Sequence, residues 1–420
     1  MFIMQERKII RDPLHGDISI DGIFLDLMDA PEVQRLSHIK QLGFAHLVFP
    51  GAHHTRLEHS LGAYTVAKQV SAALSLTPHE QDILCCAALL HDIGHGPFSH
   101  TLESLLRTKL NVDHVDLTEQ LLRGTYDIID EHELPFASSE RVVDIIHQHG
   151  LDPGEIAEII RGTSQHQFHL SQLLNSPIDV DQLDYLLRDA YYTGVAYGAI
   201  DMERFLQTLV ICNGQLAVQR KGVGVVENIF MARALMYSSV YFHKTVRIAE
   251  LMLSKAIELM PDVQPFRVFK MTDGELLSSM SHGEPFQREI AIRLKYRRLY
   301  KQAVTVSPQI NTDHYRDVIK QMENPEVRRE KEREIEEHLG LSPGHIIIDV
   351  PVLELHQAEP RIDQMDIVIE DKGDLLSLDT LTPVAQAIKS RVIPDWTLMV
   401  LTDEDHRKQV NEKVEHLLFN

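Results

Sequence analysis

Leu89-Leu90-His91-Asp92-Ile93-Gly94-His95-Gly96-Pro97-Phe98-Ser99-His100 sets three imidazoles and a carboxylate directly behind the apolar run Ile83 to Leu90. That run, with Cys85, Ala87 and Ala88, reads as a buried helix that Gly94, Gly96 and Pro97 bring to an end. A core helix that delivers His and Asp at its C-terminal end puts them at depth, where an unpaired charge is costly. His91 and His95 share a helix face if the turn continues that far. His91 and Asp92 are neighbours, and neighbours reach one ion only where a helix ends or distorts, which the glycines permit. A His-Asp pair alone is more often a satisfied core histidine beside a capping carboxylate. Here it comes with His95, His100, the glycines and an upstream Arg56-Leu57-Glu58-His59. The stretch predicts a metal site.

Outward from that stretch the pattern is mainly helical. Arg11 to Ile18 is a turn-rich segment with a short strand pair, and Asp29-Ala30-Pro31 opens a helix expected to run to Gly43. A loop carries His53 and His54, and a helix from Leu57 to about Leu76 delivers His59. Thr77-Pro78-His79-Glu80 caps the helix of the central motif. Helical patterning continues to about Ile160 with breaks near Asn111, Gly124 and Pro135. After Pro177, Leu183, Leu186 and Leu187 form an apolar stripe, with Asp181, Tyr185, Arg188 and Asp189 on neighbouring faces. Asp181 lies in the first turn, where a carboxylate suits the helix dipole. Asn213-Gly214 marks a hairpin, and one long helix is expected from about Val225 to Met260.

Beyond Pro261 the character changes. The charged run Glu323 to Glu337 reads as a solvated helix face. Strand candidates follow at His345 to Leu355, Met365 to Ile369 and Thr397 to Leu401, and a helix from Glu404 to Phe419 closes the chain. The expected fold is mainly α: a helical core over residues 1–260 and a smaller α+β module over 261–420.

A chain of 420 residues with 25% charged and 44% hydrophobic residues has the composition of a soluble globular protein. No apolar run approaches the length of a membrane span and no signal sequence opens the chain. Three cysteines, Cys85, Cys86 and Cys212, form neither a disulfide framework nor a metal pattern, so a cytoplasmic setting is expected. A net charge of −21 argues against non-specific nucleic-acid binding. It leaves room for a nucleotide pocket, where a few cations and a metal offset the phosphates.

The central stretch resembles the HD superfamily of metal-dependent phosphohydrolases, and within it the deoxynucleoside triphosphate triphosphohydrolases. The likeness runs from about Arg11 to Lys244. Its carriers are Val33 to Leu36, Ile39 to Gly43, Val48 to Ala52, Thr55 to Gly62, the central motif, Ile178 to Asp189 and Val240 to Lys244. The resemblance implies a helical HD core and water attack at an α-phosphate, releasing deoxynucleoside and intact triphosphate. It implies His59, His91, Asp92 and Asp181 as ligands of one divalent ion. This nitrogen and oxygen set suits zinc, manganese, iron or magnesium, and further magnesium can ride on the nucleotide phosphates. His95, His100, Glu103 and His114 resemble the catalytic and phosphate-contacting group, and Glu103 can orient an imidazole. Gln41 and Leu42 resemble the residues that press on the sugar and exclude a 2′-hydroxyl. Arg56, Tyr185, Asp189, Arg233, Tyr237 and Tyr241 match the lining of a substrate pocket, and Asp29 and Gln34 match part of an allosteric nucleotide site. A homo-oligomer, dimer or tetramer, is implied as well.

Three departures stand out. Val115 follows His114 where the family has Glu, which removes a carboxylate that could tune that imidazole. Gln182 replaces a phosphate-binding Lys, and Ser37 replaces an Arg that reads an allosteric guanine. Two other functions are therefore weighed: an HD phosphohydrolase acting on another nucleotide, and a nucleotide-sensing protein with weak hydrolysis.

Overall fold

The computed structural model describes residues 7–99, 101–103, 107, 112–130, 132–137, 140–261, 264–307, 313–351, 367–384, 387 and 396–419. The chain forms two compact units: Met1–Met236 with Gln264–Leu276 and Gln364–Lys389, and Tyr237–Val263 with Leu277–Asp363 and Ser390–Asn420.

The first unit is helical around the central motif. Strands β1 (Arg7–Asp12) and β2 (Gly16–Asp21) form an antiparallel hairpin ahead of it. Helix Arg56–Leu74 starts at a capping box in which Thr55 and Glu58 satisfy each other's backbone N–H groups. Helix Pro78–Leu90 starts the same way at Thr77 and Glu80. These two helices pack together, and helix Val180–Thr193 packs on the first of them. Every residue from Ile83 to Leu90 is buried, so beyond its first turn this helix has no solvent face and its end opens inside the protein. Cys85 belongs to that packing, and burial pushes its thiol up to about 12.

Strands β3 (Leu209–Cys212) and β4 (Gln215–Gln219) turn at Asn213 and Gly214, both at positive φ, as the Asn-Gly signal requires. The chain returns much later to extend this sheet. Two later strands, β7 (Val368–Asp371) and β8 (Asp374–Ser377), join it, and β7 pairs parallel to β4 with Val218 opposite Ile369.

The second unit is built on an antiparallel sheet ordered β5-β9-β6, from Lys301–Val306, Leu398–Thr402 and Ile347–Asp349. Its core joins Ile348, Leu398 and Val400 to Ile335 of helix Pro325–Leu339 and to Val410 and Val414 of helix Arg407–Phe419.

Several expectations are corrected here. The helix after Pro31 is a single turn, Pro31–Gln34, continued as a 3₁₀ turn to His38. The long helix is two, Val223–Met236 and Lys244–Glu258, separated by a π turn at Tyr237–Tyr241. His243 caps the second, its ring accepting the Thr245 N–H at 3.2 Å. The charged run is not uniformly solvated. Glu332 and Glu336 are buried, and their carboxylates accept the N–H groups of Ile348, Gly344 and Ile346 at 2.7–3.0 Å along the outer edge of β6. Strand β5 and helix Ile23–Met28 carried no clear sequence signal. Parts of the expected His345 to Leu355 and Met365 to Ile369 strands lie outside the described residues.

Candidate active site

Three helix ends deliver one cluster. His59 lies in the first turn after the Thr55 cap, His91 is the C-cap of helix Pro78–Leu90, and Asp181 lies in the first turn of helix Val180–Thr193. His59 Nε2 is 2.9 Å from Asp181 Oδ1 and 3.3 Å from His91 Nε2. His91 Nε2 is 3.7 Å from Asp181 Oδ1 and 3.3 Å from Asp92 Oδ1. His59, His91 and Asp181 thus converge on one space, which Asp92 adjoins through His91 Nε2.

The partners on the far sides of the rings indicate what that space needs. His59 Nδ1 donates to Asp184 Oδ2 at 2.9 Å, and His91 Nδ1 donates to the Ala88 carbonyl at 2.8 Å. In a neutral imidazole the other nitrogen is then a lone pair, so both Nε2 atoms and the Asp181 carboxylate aim electron pairs at the same space, with Asp92 beside His91. Such a set is repulsive unless it holds a cation. Burial works against a charged imidazole at His59, yet Asp181 and Asp184 outweigh it and raise the group to about 10. Without an ion, the cluster takes up protons to balance its carboxylates. A divalent ion replaces those protons, so the donor set fits a metal.

Sequence reasoning missed the support behind His59. Asp184 is fully buried and accepts from His59, from His15 Nε2 at 2.7 Å and from Arg188 Nε at 2.8 Å. Arg188, also fully buried, donates onward to Asp12 Oδ2 at 2.8 Å. The signal was present: Asp184 and Arg188 follow Asp181 at helical spacing. A side chain on Gly62 would place its Cβ 1.9 Å from Asp184 Oδ1, so glycine is what lets the two helices close on this carboxylate.

A second group adjoins the cluster. Asp92 Oδ1 also lies 3.2 Å from His95 Nε2, whose ring stacks on His114 with centroids 3.9 Å apart. His114 Nδ1 donates to Glu103 Oε1 at 2.6 Å. Burial, Arg56 and His114 hold His95 well below its ordinary value. Burial opposes the charged form of His114 too, but Glu103 raises it overall. The carboxylate that Val115 does not provide therefore reaches His114 from Glu103, while Asp116 is used in a capping box with Asp113. His100 lies outside the described residues.

The turn that carries the motif is clasped from several sides. Arg35 donates to the carbonyls of His95 at 2.8 Å and Lys270 at 3.1 Å, and also to that of Phe269. Asp273 accepts the N–H of Lys40 and of Phe98, each at 2.9 Å. Phe98 has φ +45°, a strained left-handed conformation for a bulky residue, and stacks on Phe44. A Cβ on Gly94 would meet the His114 carbonyl at 2.3 Å, so this glycine admits helix His114–Leu122.

The remaining expected residues divide. Tyr185 lies beside the cluster, its ring centroid 6.5 Å from that of His59. Arg56 is buried and donates to Asp92 Oδ2 at 2.6 Å and to Ser99 at 3.0 Å, so it braces a cluster carboxylate. Asp189 is buried against His54 Nε2 at 2.8 Å. Gln41 is buried, and Leu42, which follows it, is partly exposed. Gln182 is also buried, its carbonyl oxygen accepting from Arg233 at 3.3 Å. Tyr237 and Tyr241 belong to the second unit, their rings edge to face at 5.1 Å. Asp29 pairs with Lys8 at 3.6 Å, and Gln34 donates to the Met28 carbonyl at 2.5 Å.

This geometry agrees with the comparisons to known proteins. Residues 56–189 match the HD domain, and residues 200–419 match the HD associated region. The chain belongs to the HD superfamily of metal-dependent phosphohydrolases, and its HD site takes a divalent metal ion. An uncharacterised protein of Methanocaldococcus jannaschii is 30% identical over 96% of this chain and 81% of its own. The deoxynucleoside triphosphate triphosphohydrolase SAMHD1 of Gallus gallus is 30% identical over 70% of this chain, which spans 55% of that protein's length. A solved structure of a hypothetical protein from Aquifex aeolicus superposes with a TM-score of 0.71 at 27% identity, covering 97% of this chain and all of its own. Among the described residues, no helix is long and apolar enough to cross a membrane.

Proposed function

We propose that the chain hydrolyses deoxynucleoside triphosphates to deoxynucleoside and intact triphosphate, by water attack at the α-phosphate. The observation that carries this reading is the His114–Glu103 pair stacked on His95, one hydrogen-bond step from the Asp92 carboxylate. It sets proton-transfer groups beside a site made for a cation. Likeness to proteins named as deoxynucleoside triphosphate triphosphohydrolases supports the substrate class.

In this reading His59, His91, Asp92 and Asp181 hold the ion. Once bound, the ion would polarise the phosphoryl group, activate water and offset charge in the transition state. Asp184 and the Ala88 carbonyl fix the ring orientations of His59 and His91. Arg56 holds the Asp92 carboxylate in place. Glu103 keeps His114 protonated, and His114 delivers that proton to the departing 5′-oxygen. His95, kept neutral, gives its one N–H to Asp92 and so orients that carboxylate beside the His114 ring. Gln41 and Leu42 select the sugar.

Turnover in ¹⁸O-labelled water with manganese tests the reaction. The label is expected in triphosphate and absent from the deoxynucleoside, and dGTP is expected to react faster than GTP. Label in the deoxynucleoside would place attack at carbon, and equal rates for dGTP and GTP would remove the sugar preference.

A further inference from the structure

Outside the HD site, a second cluster of metal-binding side chains lies in the second unit. Asp403 follows β9, and its side chain is only 1% exposed. Strands β6 and β9 pair Ile347 with Leu401, and continuing this antiparallel register by two residues sets His345 opposite Asp403. Beyond Asp403 the chain turns sharply. Asp403 Oδ1 accepts the N–H groups of Asp405 at 3.0 Å and His406 at 3.2 Å, which folds His406 back over the carboxylate. Both imidazoles then aim Nδ1 at the same oxygen: His345 and His406 each lie 2.7 Å from Asp403 Oδ2.

The geometry points to a second metal site in this chain, formed by His345, Asp403 and His406, that takes a divalent transition ion such as zinc. One ligand atom from each of the three lies within 4.8 Å of the others. Two imidazoles and one carboxylate favour zinc, cobalt or nickel over magnesium or calcium, which prefer oxygen. Asp403 accepts from the two rings and from two backbone N–H groups. Arg293 places positive charge near Asp403 but does not hydrogen-bond it, and an ion held between the three side chains would take the place of the Nδ1 protons against the buried carboxylate. His345 is 15% exposed and His406 37%, so an ion and its remaining water ligands can enter from the His406 side. The rings of Tyr300 and Phe286 lie near that of His345, with centroids 6.4 and 6.2 Å away.

The site joins positions 58 residues apart, at the start of β6 and at the junction of β9 with the terminal helix. An ion there is a staple on the sheet of the second unit. None of its residues belongs to the HD site, so hydrolysis is expected to continue without it.

The test counts ions. Full-length His91→Ala, stripped with chelator and dialysed against zinc, isolates the second site. It is expected to retain one equivalent of zinc that His91→Ala/His406→Gln loses. The single variant His406→Gln is expected to keep the hydrolytic rate of the unsubstituted protein but to lose the part of the zinc-induced rise in melting temperature that His91→Ala retains. If His91→Ala and the double variant hold the same zinc, the proposal is wrong. A cobalt-soaked crystal of the unsubstituted protein needs no variant. An anomalous peak between the three side chains is expected there, and its absence at saturating cobalt would leave an ordinary hydrogen-bonded triad. Both readouts stand whether or not the chain hydrolyses deoxynucleotides.

Discussion

At the scale of single residues, the site is a set of paired roles, each imidazole matched to a partner that fixes its proton. His114 depends on Glu103, so Glu103→Gln is expected to lower kcat by about 10²-fold while bound metal stays constant. Because Glu103 raises the His114 pKa, its loss should also bring the alkaline fall in rate to lower pH, as a pH–rate profile of both proteins would show. Val115→Glu, by contrast, should give no gain, since the ring nitrogen it would tune is already occupied. A large increase in rate on that substitution would show that Glu103 does not serve His114. The resemblance points to His59, His91 and Asp181, which converge, and their positions at helix ends marked by caps and glycines explain how three separate segments reach one place. Asp184 was not legible, because a carboxylate one helical turn past Asp181 reads equally as solvated charge. The resemblance places Arg56 in the pocket lining, whereas its burial on Asp92 depends on how two helices cross, which local sequence does not reveal.

At the scale of elements, the site depends on two helices touching through a glycine and a buried ion network. Arg188→Met leaves Asp12 and Asp184 without their cation and should cost about 3–5 kcal/mol, measured by urea denaturation. Asp184→Asn should weaken metal affinity about 10–100-fold by loosening His59, read by titration of the stripped protein. Gly62→Ala should impair both stability and metal binding, since its Cβ would displace Asp184. An undiminished affinity in Asp184→Asn would mean that His59 is oriented without that carboxylate. Capped helices were legible here: Thr55-Glu58 and Thr77-Glu80 announced their starts. The break at Tyr237 was hidden by apolar residues that continue a helical pattern through it. The buried Glu332 and Glu336 were hidden because a charged run ordinarily faces water.

At the scale of the whole molecule, the chain does not divide once along its length. Segments Gln264–Leu276 and Gln364–Lys389 return to the first unit, where Asp273 and β7 complete the HD loop and a sheet. Such returns are long-range pairings that composition shifts near Pro261 do not foretell. The cation cluster makes the first unit sensitive to metal. With free ion about 100-fold above its Kd, binding should stabilise the protein by about 2.7 kcal/mol, so chelation should lower the melting temperature reversibly. The central claim is that the metal-loaded HD site cuts a deoxynucleoside triphosphate next to its α-phosphate. Its most direct test is ³¹P NMR of the products from dGTP, with His91→Ala as the control. Intact triphosphate from the unsubstituted protein and none from His91→Ala is the predicted result. Pyrophosphate or orthophosphate as the first product, or full activity in His91→Ala, would contradict it.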